Sequence, residues 1–392
     1  MRGVSDAQDR ADVAVRPALA VPAPPQPDLT GTRAAFVHDW LVTLGGADRV
    51  LLVLHELLPQ APVYTALYDE RRMPAAFRQL DVRPSWLQRI PSAVARHRWL
   101  VPLMAASAEG VDLRGYDLVI SSSHAWAKGV RVPRGTRHIC YCYTPMRYAW
   151  DLQEAYLGHL HLPARLVMRA ALGWMRRWDA AAAGGVHHFI AISHFVASRI
   201  RRHYRREAAV IHPPVDTAFF TPGPPGAAGE FYLAAGRLVP YKRMDLAVAA
   251  FTRLGLPLVV VGGGPELPRL RALAGPTVRF AGEVSDEALR EYYRRCRALV
   301  FPGVEDFGLV PVEAQACGRP VIAFGAGGAL ESVQEGVTGL FFRAPTADAL
   351  AQAVRDLERH RFNPAAIRAH ALRFSREAFL AAMRAFIAHH LA

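Results

Sequence analysis

Two strand–loop–helix units in immediate succession, Leu299–Val333, leave this chain few ways to fold. The segment reads LVFPGVEDFGLVPVEAQACGRPVIAFGAGGALESV. An apolar run, Ala298–Phe301, has the length and bulk of a buried strand. A Pro-Gly break and a polar stretch follow, then a helical pattern from Leu309 to Cys317, stopped by Gly318 and Pro320. Pro320–Phe324 restarts a strand, Gly325–Gly328 turns, and Leu330–Glu331 opens another helix. Strands alternating with helices argue for an open parallel sheet. In such a sheet the loops at the strands' C-terminal ends are where ligands bind.

Glu305 lies in the first of these loops and Glu313 about one turn into the helix, eight residues on. Between them, the amides of Phe307, Gly308 and Leu309 fall among the unpaired donors of a helix N-terminus, which suit an anion. Gly308 has no side chain to block close approach, and Pro311 sits in the first turn, where its missing N–H matters least. Either glutamate alone reads as a solvated charge. Together with the glycines they frame an anion site between two acceptors of hydroxyl hydrogen bonds, which is the character of a sugar nucleotide.

Glu305 and Glu313 match the E-x7-E motif of the family 4 retaining glycosyltransferases, and EDFGLVPVEAQACGRPVIAFGAGGALESVQEGVTGLFF resembles that family along its length. The resemblance spans roughly residues 34–390 and is densest from Phe231 to Phe342.

At 392 residues, two or three domains are expected, and 52% hydrophobic with 21% charged residues fits a globular chain with sizeable cores. No apolar run approaches the roughly 20 residues that span a bilayer. The start, MRGVSDAQDRADVAV, has no signal-peptide pattern, so a cytoplasmic location is expected. Cys140, Cys142, Cys296 and Cys317 fit neither a zinc site nor a disulfide framework and are expected reduced. The formal net charge of +13 attracts nucleic acid, anionic lipid or phosphorylated substrates without choosing among them.

Residues 1–30 read as a disordered tail. AAFVHDW (Ala34–Trp40) is a strand, and Gly45–Gly46 opens the next helix, where phosphates often rest. YDLVISSSH (Tyr116–His124) is a strand that leaves His124 at its C-terminal tip; a lone histidine there is otherwise structural or on the surface. LVMRAALGWMRRWDAAAAGG interleaves basic and apolar residues, as an interfacial helix or a packed one would. Arg199, Arg201, Arg202, Arg205 and Arg206 read as a solvated face, and Thr221–Gly229 as a linker. FYLAAG (Phe231–Gly236) starts a second half. Its loop RLVPYKRMD carries Arg237 and Lys242, two cations able to hold a diphosphate. LVVVGGGPE hints at a dinucleotide site but lacks the full fingerprint.

The resemblance implies two Rossmann-like, doubly wound α/β domains facing across a cleft. These are residues 31–220 for the acceptor and 230–373 for the nucleotide sugar, with a last helix, 374–392, returning to the first domain. It implies catalytic roles for His124, Arg237, Lys242 and Glu305. Donor binding falls to Gly45, Gly46, Arg237, Lys242, Asp306, Phe307, Gly308, Leu309 and Glu313. With no D-x-D motif near these residues, no metal and no other cofactor is expected. YCYTPMRYAWD with GRLVPYKRMDLA is most similar to bacterial O-antigen and exopolysaccharide mannosyltransferases. That implies GDP-mannose as donor and a glycan or polyprenyl-diphosphate-linked acceptor, with peripheral attachment to an anionic membrane face left open. The alternatives are a UDP-sugar transferase or a nucleotide-sugar epimerase of the same fold. An oxidoreductase would need the missing fingerprint, and a nucleic-acid binder an aromatic platform or groove-reading helix that the sequence does not display.

Overall fold

The computed structural model describes residues 29–96, 100–151, 161–224, 226, 229 and 231–391. All but the last two residues of the expected N-terminal tail fall outside them, and one of those two, Leu29, is buried in the core of the first domain.

Two parallel sheets organise the chain. The first has seven strands: β1 (Ala34–His38), β2 (Val63–Thr65), β3 (Val82–Pro84), β4 (Leu118–Ser123), β5 (Arg137–Cys142), β6 (His188–Ala191) and β7 (Ala208–Val210). Their order across the sheet is β3-β2-β1-β4-β5-β6-β7. The second has β8 (Tyr232–Ala235), β9 (Leu258–Val261), β10 (Val278–Gly282), β11 (Leu299–Phe301), β12 (Val321–Phe324) and β13 (Gly339–Phe342), ordered β10-β9-β8-β11-β12-β13. The central strands are buried almost throughout, because helices cover both sides of a parallel sheet. In β1 and β8 every residue is buried.

Strand order reverses between β1 and β4 in the first sheet and between β8 and β11 in the second. At such a reversal the following helices leave toward opposite faces, which opens a crevice at the strands' C-terminal ends. β1 and β4 run in register from Ala34↔Leu118 to His38↔Ser122, so their exit loops start level with each other. The loops after β1, β4, β8 and β11 carry Gly45–Gly46, His124, Arg237 with Lys242, and Glu305, in that order.

After β13 the chain returns to the first sheet. Phe374 O accepts from Val215 N–H at 2.8 Å, and Val215 and Ser375 form a parallel bridge. The helix Arg376–Leu391 then buries Phe379, Met383 and Ile387 in the first domain's core, with the Phe379 ring edge-on to Tyr141 at 5.6 Å.

Candidate active site

The wall formed by the first domain is built around two carboxylates. Asp48, three residues into the helix Gly46–His55, accepts from the Gly45 N–H at 2.5 Å and so stabilises that helix start. Its other oxygen lies 3.0 Å from His38 Nε2, while His38 Nδ1 lies 3.0 Å from Ser122 Oγ. Ser122 Oγ meets Tyr143 OH, which donates to Ala47 O at 2.9 Å. The Gly45–Gly46 turn is therefore tied to β1, β4 and the end of β5, with both glycines exposed.

Asp39, the residue after β1, has a fully buried carboxylate. It accepts the backbone N–H groups of His124 at 2.6 Å, Ala125 at 3.0 Å, Trp126 at 2.5 Å and Ala127 at 2.6 Å. The loop after β4 is thus wrapped around one anion. Burial alone would raise the Asp39 pKa, but the neighbouring His124 and His38 and these bonds hold it below the usual carboxylate range. His124 Nδ1 lies 3.0 Å from Asp39 Oδ2, and its ring meets Trp40 edge-on at 4.7 Å. Burial works to lower the His124 pKa; Asp39 outweighs it, and the net shift is upward. The His124 side chain is 29% exposed. Behind it, buried Lys128 donates to Ala125 O at 2.5 Å and pairs with Asp179, which accepts from Trp150 and Tyr204 at 2.7 Å each.

The wall formed by the second domain is built on close backbone approach. Gly236 has φ +138°, and a Cβ there would stand 3.1 Å from Lys242 Nζ. A Cβ on Gly303 would come within 2.7 Å of Lys242 Cα. These two glycines let the β8 and β11 loops converge, and Lys242 Nζ reaches Glu305 Oε1 at 2.5 Å. Gly308, at φ +90°, turns the chain into the helix Leu309–Ala316, where a Cβ would press on Phe301 at 3.0 Å. The Phe307 ring is buried between His212 and Phe374, so at the cleft this residue offers its backbone. Glu305 O accepts from Gly328 N–H at 2.8 Å. Gly262–Gly264, the run that hinted at a dinucleotide site, instead lies against the β8 loop: Leu238 N–H donates to Gly263 O at 2.7 Å, and a Cβ on Gly264 would lie 2.8 Å from Leu238 N.

Glu313 Oε2 accepts from Tyr293 OH at 2.8 Å. Burial raises the Glu313 pKa, against the Tyr293 hydrogen bond and the charges of Arg49 and Lys242. Arg237 is exposed and donates to Tyr241 OH at 3.3 Å.

The two walls meet. Gly46 faces Leu309 so closely that a Cβ on Gly46 would lie 3.0 Å from Leu309 Cδ1. Arg49 forks onto Asp286 at 2.8 and 3.0 Å. Glu331 accepts from the N–H groups of His194 at 2.8 Å and Phe195 at 3.0 Å, the first turn of the helix His194–Tyr204. Asp306, expected at the donor, turns its carboxylate to Arg199 at 2.8 Å and Arg147 at 3.5 Å, both from the first domain. Burial raises its pKa, and the two guanidinium groups partly offset this. Arg199 therefore does not belong to a solvated face: it is 7% exposed, bonded to Asp306, Asp151 and Thr144. Arg206 departs from that reading in part, donating to the carbonyls of Ala183, Val186 and His187.

The structure thus gathers Gly45, Gly46, Lys242, Glu305, Gly308 and Leu309 around one cleft, with Arg237 and Glu313 at its second-domain side. His124 stands on the first-domain wall, and no described contact joins it to Lys242 or Glu305. Among the described residues no group of three His, Cys, Asp or Glu is placed to hold a metal ion. Asp39, Asp48, Arg147, Tyr241 and Glu331 were not singled out from sequence. Asp39 had one signal: an acidic residue directly after an apolar strand.

Residues 44–219 match Glycosyltransferase Family 4, and residues 224–374 match Glycosyl transferases group 1. A D-inositol 3-phosphate glycosyltransferase of Mycobacteroides abscessus is 37% identical over 169 residues, 38% of each chain. A GDP-mannose-dependent alpha-(1-6)-phosphatidylinositol monomannoside mannosyltransferase of Mycobacterium tuberculosis is 34% identical over 196 residues, 42% of this chain and 51% of that one. The matches therefore span about half or less of these relatives' length. Anabaena HepE, solved in complex with UDP, superposes with a TM-score of 0.69 at 18% identity over 91% of this chain and 100% of that one. Sucrose-phosphate synthase from Thermosynechococcus elongatus gives a TM-score of 0.68 at 19% identity over 91% and 99%. With both halves matched in order by glycosyltransferase family models, the chain carries the two-domain, two-sheet B-type glycosyltransferase fold.

Proposed function

We propose that this chain moves a glycosyl group from a nucleotide sugar to an acceptor hydroxyl, with retention and without a metal ion. The observation that carries the reading is the Lys242–Glu305 pair beside the N-terminus of the helix Leu309–Ala316, directly opposite the exposed Gly45–Gly46 turn. A diphosphate seated there meets the Lys242 ammonium, the exposed Arg237 guanidinium and the first amides of the helix, all aimed where negative charge develops. The bond from the anomeric carbon to the diphosphate breaks, the bond to the acceptor oxygen forms on the same face, and the acceptor's proton goes to a diphosphate oxygen. Glu305 accepts from hydroxyls of the transferred sugar, Glu313 from the ribose, and His124, held by Asp39, contacts the sugar from the opposite wall.

Relatives that use GDP-mannose and a structural neighbour that holds UDP support a sugar nucleotide, with GDP-mannose the reading preferred here. The acceptor proposed is a lipid-linked glycan at the inner face of the cell membrane. Leu166 (60%), Val167 (71%) and Trp174 (43%) are exposed on the helix Leu162–Gly184 beside exposed Arg169 and Arg177, an apolar ridge with cations that suits an anionic bilayer surface. No described helix is long and apolar enough to cross a membrane.

A thermal-shift screen with GDP, UDP, GDP-mannose and UDP-glucose tests the donor, since a ligand at 100 times its Kd adds about 2.7 kcal/mol. The decisive pair is Glu305→Gln against Glu313→Gln. The first should lower kcat/KM for the sugar nucleotide while nucleoside diphosphate binding holds; the second should weaken both. Equal loss of diphosphate binding in the two variants rejects the division of roles. Loss of turnover in EDTA, restored by Mg²⁺, rejects the metal-free mechanism.

A further inference from the structure

We propose that Arg147 is a positioning residue that couples the placement of Lys242 and Glu305 to closure of the two domains; this rests on reading the cleft as a glycosyl-transfer site. Arg147 opens the short helix Arg147–Trp150 in the first domain, yet its guanidinium makes every one of its described contacts with the second. Nη2 points at Val304 O at 3.4 Å and Nη1 at Asp306 Oδ2 at 3.5 Å, while the guanidinium carbon lies 4.8 Å over the Tyr241 ring. Val304 and Asp306 are the chain neighbours of Glu305, and Tyr241 is the neighbour of Lys242. One side chain therefore braces both members of the Lys242–Glu305 pair without touching either.

The brace is anchored from its own side of the cleft. Arg199 holds the other Asp306 oxygen at 2.8 Å and is itself fixed by Asp151 and Thr144. Ser193 Oγ, which caps the helix His194–Tyr204 by accepting from Val196 N–H, also donates to Asp306 O at 2.5 Å. Asp306 is thus held by its carboxylate and its carbonyl, both from the first domain, and Arg147 adds the contacts that continue to Tyr241. When the domains part, the contacts to Val304, Asp306 and Tyr241 break together. The described partners of the Arg147 guanidinium all belong to the second domain, so the energy of these contacts exists only in the closed form. Such a difference between two states is what biases an equilibrium between them. Asp306, expected at the donor, acts in this reading as the latch.

The test uses Arg147→Met, Asp306→Asn and the double variant, with GDP and UDP as binding probes. Asp306→Asn is isosteric and keeps the test open if the arginine variant folds poorly. Each single variant is expected to lower kcat by about 10- to 100-fold, because displaced catalytic groups lose alignment. The Kd for whichever diphosphate binds should move by less than about twofold, separating closure from ground-state binding. The double variant should be no slower than the slower single one, since both remove one latch. In small-angle scattering with diphosphate bound, the variants should be more expanded than the parent. A kcat within about twofold of the parent, losses that multiply in the double variant, or a Kd that weakens by the same factor as kcat each overturns the proposal. If the parent turns over no sugar nucleotide, the glycosyl-transfer reading fails by itself. The scattering comparison then decides the latch alone: equal radii of gyration reject it and an expanded variant upholds it.

Discussion

The two walls of the cleft are held in place by opposite means. In the first domain, polar backbone is gathered onto buried anions: Asp39 collects four N–H groups and Asp48 fixes the Gly45 turn. In the second, the absence of side chains does the gathering. At Gly303 and Gly264 the backbone passes closer than any Cβ would allow, and Gly236 and Gly308 hold positive φ with neighbours 3.0–3.1 Å from where a Cβ would stand. One wall depends on charge and the other on shape, so they should fail under different insults. All seven tryptophans lie in the first half of the sequence, so their fluorescence reports on the first wall alone.

The largest effect expected is from Asp39→Ala. Removing one partner of a buried charged network costs about 3–5 kcal/mol, and urea unfolding followed by tryptophan fluorescence should show it. A loss under about 1 kcal/mol would mean the loop after β4 does not depend on that anion. Next is Lys242→Ala on the opposite wall, where turnover should fall about 10²–10³-fold, with a loss of stability smaller than that of Asp39→Ala because Glu305 keeps part of its exposure. A folded variant with near-parental kcat removes Lys242 from the chemistry.

Acid should separate the walls. His138, buried in β5 with Nε2 at 2.8 Å from Ser121 Oγ, is held by burial at a pKa of about 4. Its unfolded value is about 6.5, so the unfolded chain binds more protons between the two and stability falls as pH drops through that window, by on the order of 3 kcal/mol. The lowered Asp39 pKa has the same sign at lower pH: its stabilisation is present above its unfolded value and lost as pH falls toward the folded one. Glu313, whose pKa burial raises, has the opposite sign, its native form gaining relative stability as pH falls. Hydrogen exchange at pH 7 and pH 5 should therefore show protection lost in β4 and β5 before β8 and β11. Equal loss in both would collapse the distinction. The smallest effect expected is from Gly264→Ala, where φ is +152° and a Cβ would crowd Leu238; about 1–3 kcal/mol should be lost, with tryptophan fluorescence at the midpoint unchanged. A tryptophan shift there would show that the walls communicate.

The same contrast explains what could be read from the sequence. Shape is local: the apolar runs bounded by glycines announced β8, β11 and β12, and the Glu305–Glu313 spacing pointed to the loop and helix start that face Gly46. Charge pairing is not. Asp39 meets partners 85 to 88 positions away, and Arg199 meets Asp306 across 107, so nothing beside Arg199 marks it and Asp39 is marked only by its place after an apolar strand. A run of five arginines reads as a solvated face until the fold brings a carboxylate to one of them. β3 and β7 lay hidden for another reason. They are three-residue strands with part-exposed residues, including Arg83 and Ala209, at the two edges of the sheet, where burial imposes no pattern.

The return of the last helix orders the assembly of the chain during synthesis. Phe379, Met383 and Ile387 complete a core begun by Phe36 and Ile120, with the whole second sheet encoded between them. The first domain therefore leaves the ribosome with an open flank, and the second emerges as a self-contained insertion able to fold while that flank is still bare. Only when residues 376–391 appear can the first core close. Until then its unfinished surface is the part of the molecule most exposed to wrong partners.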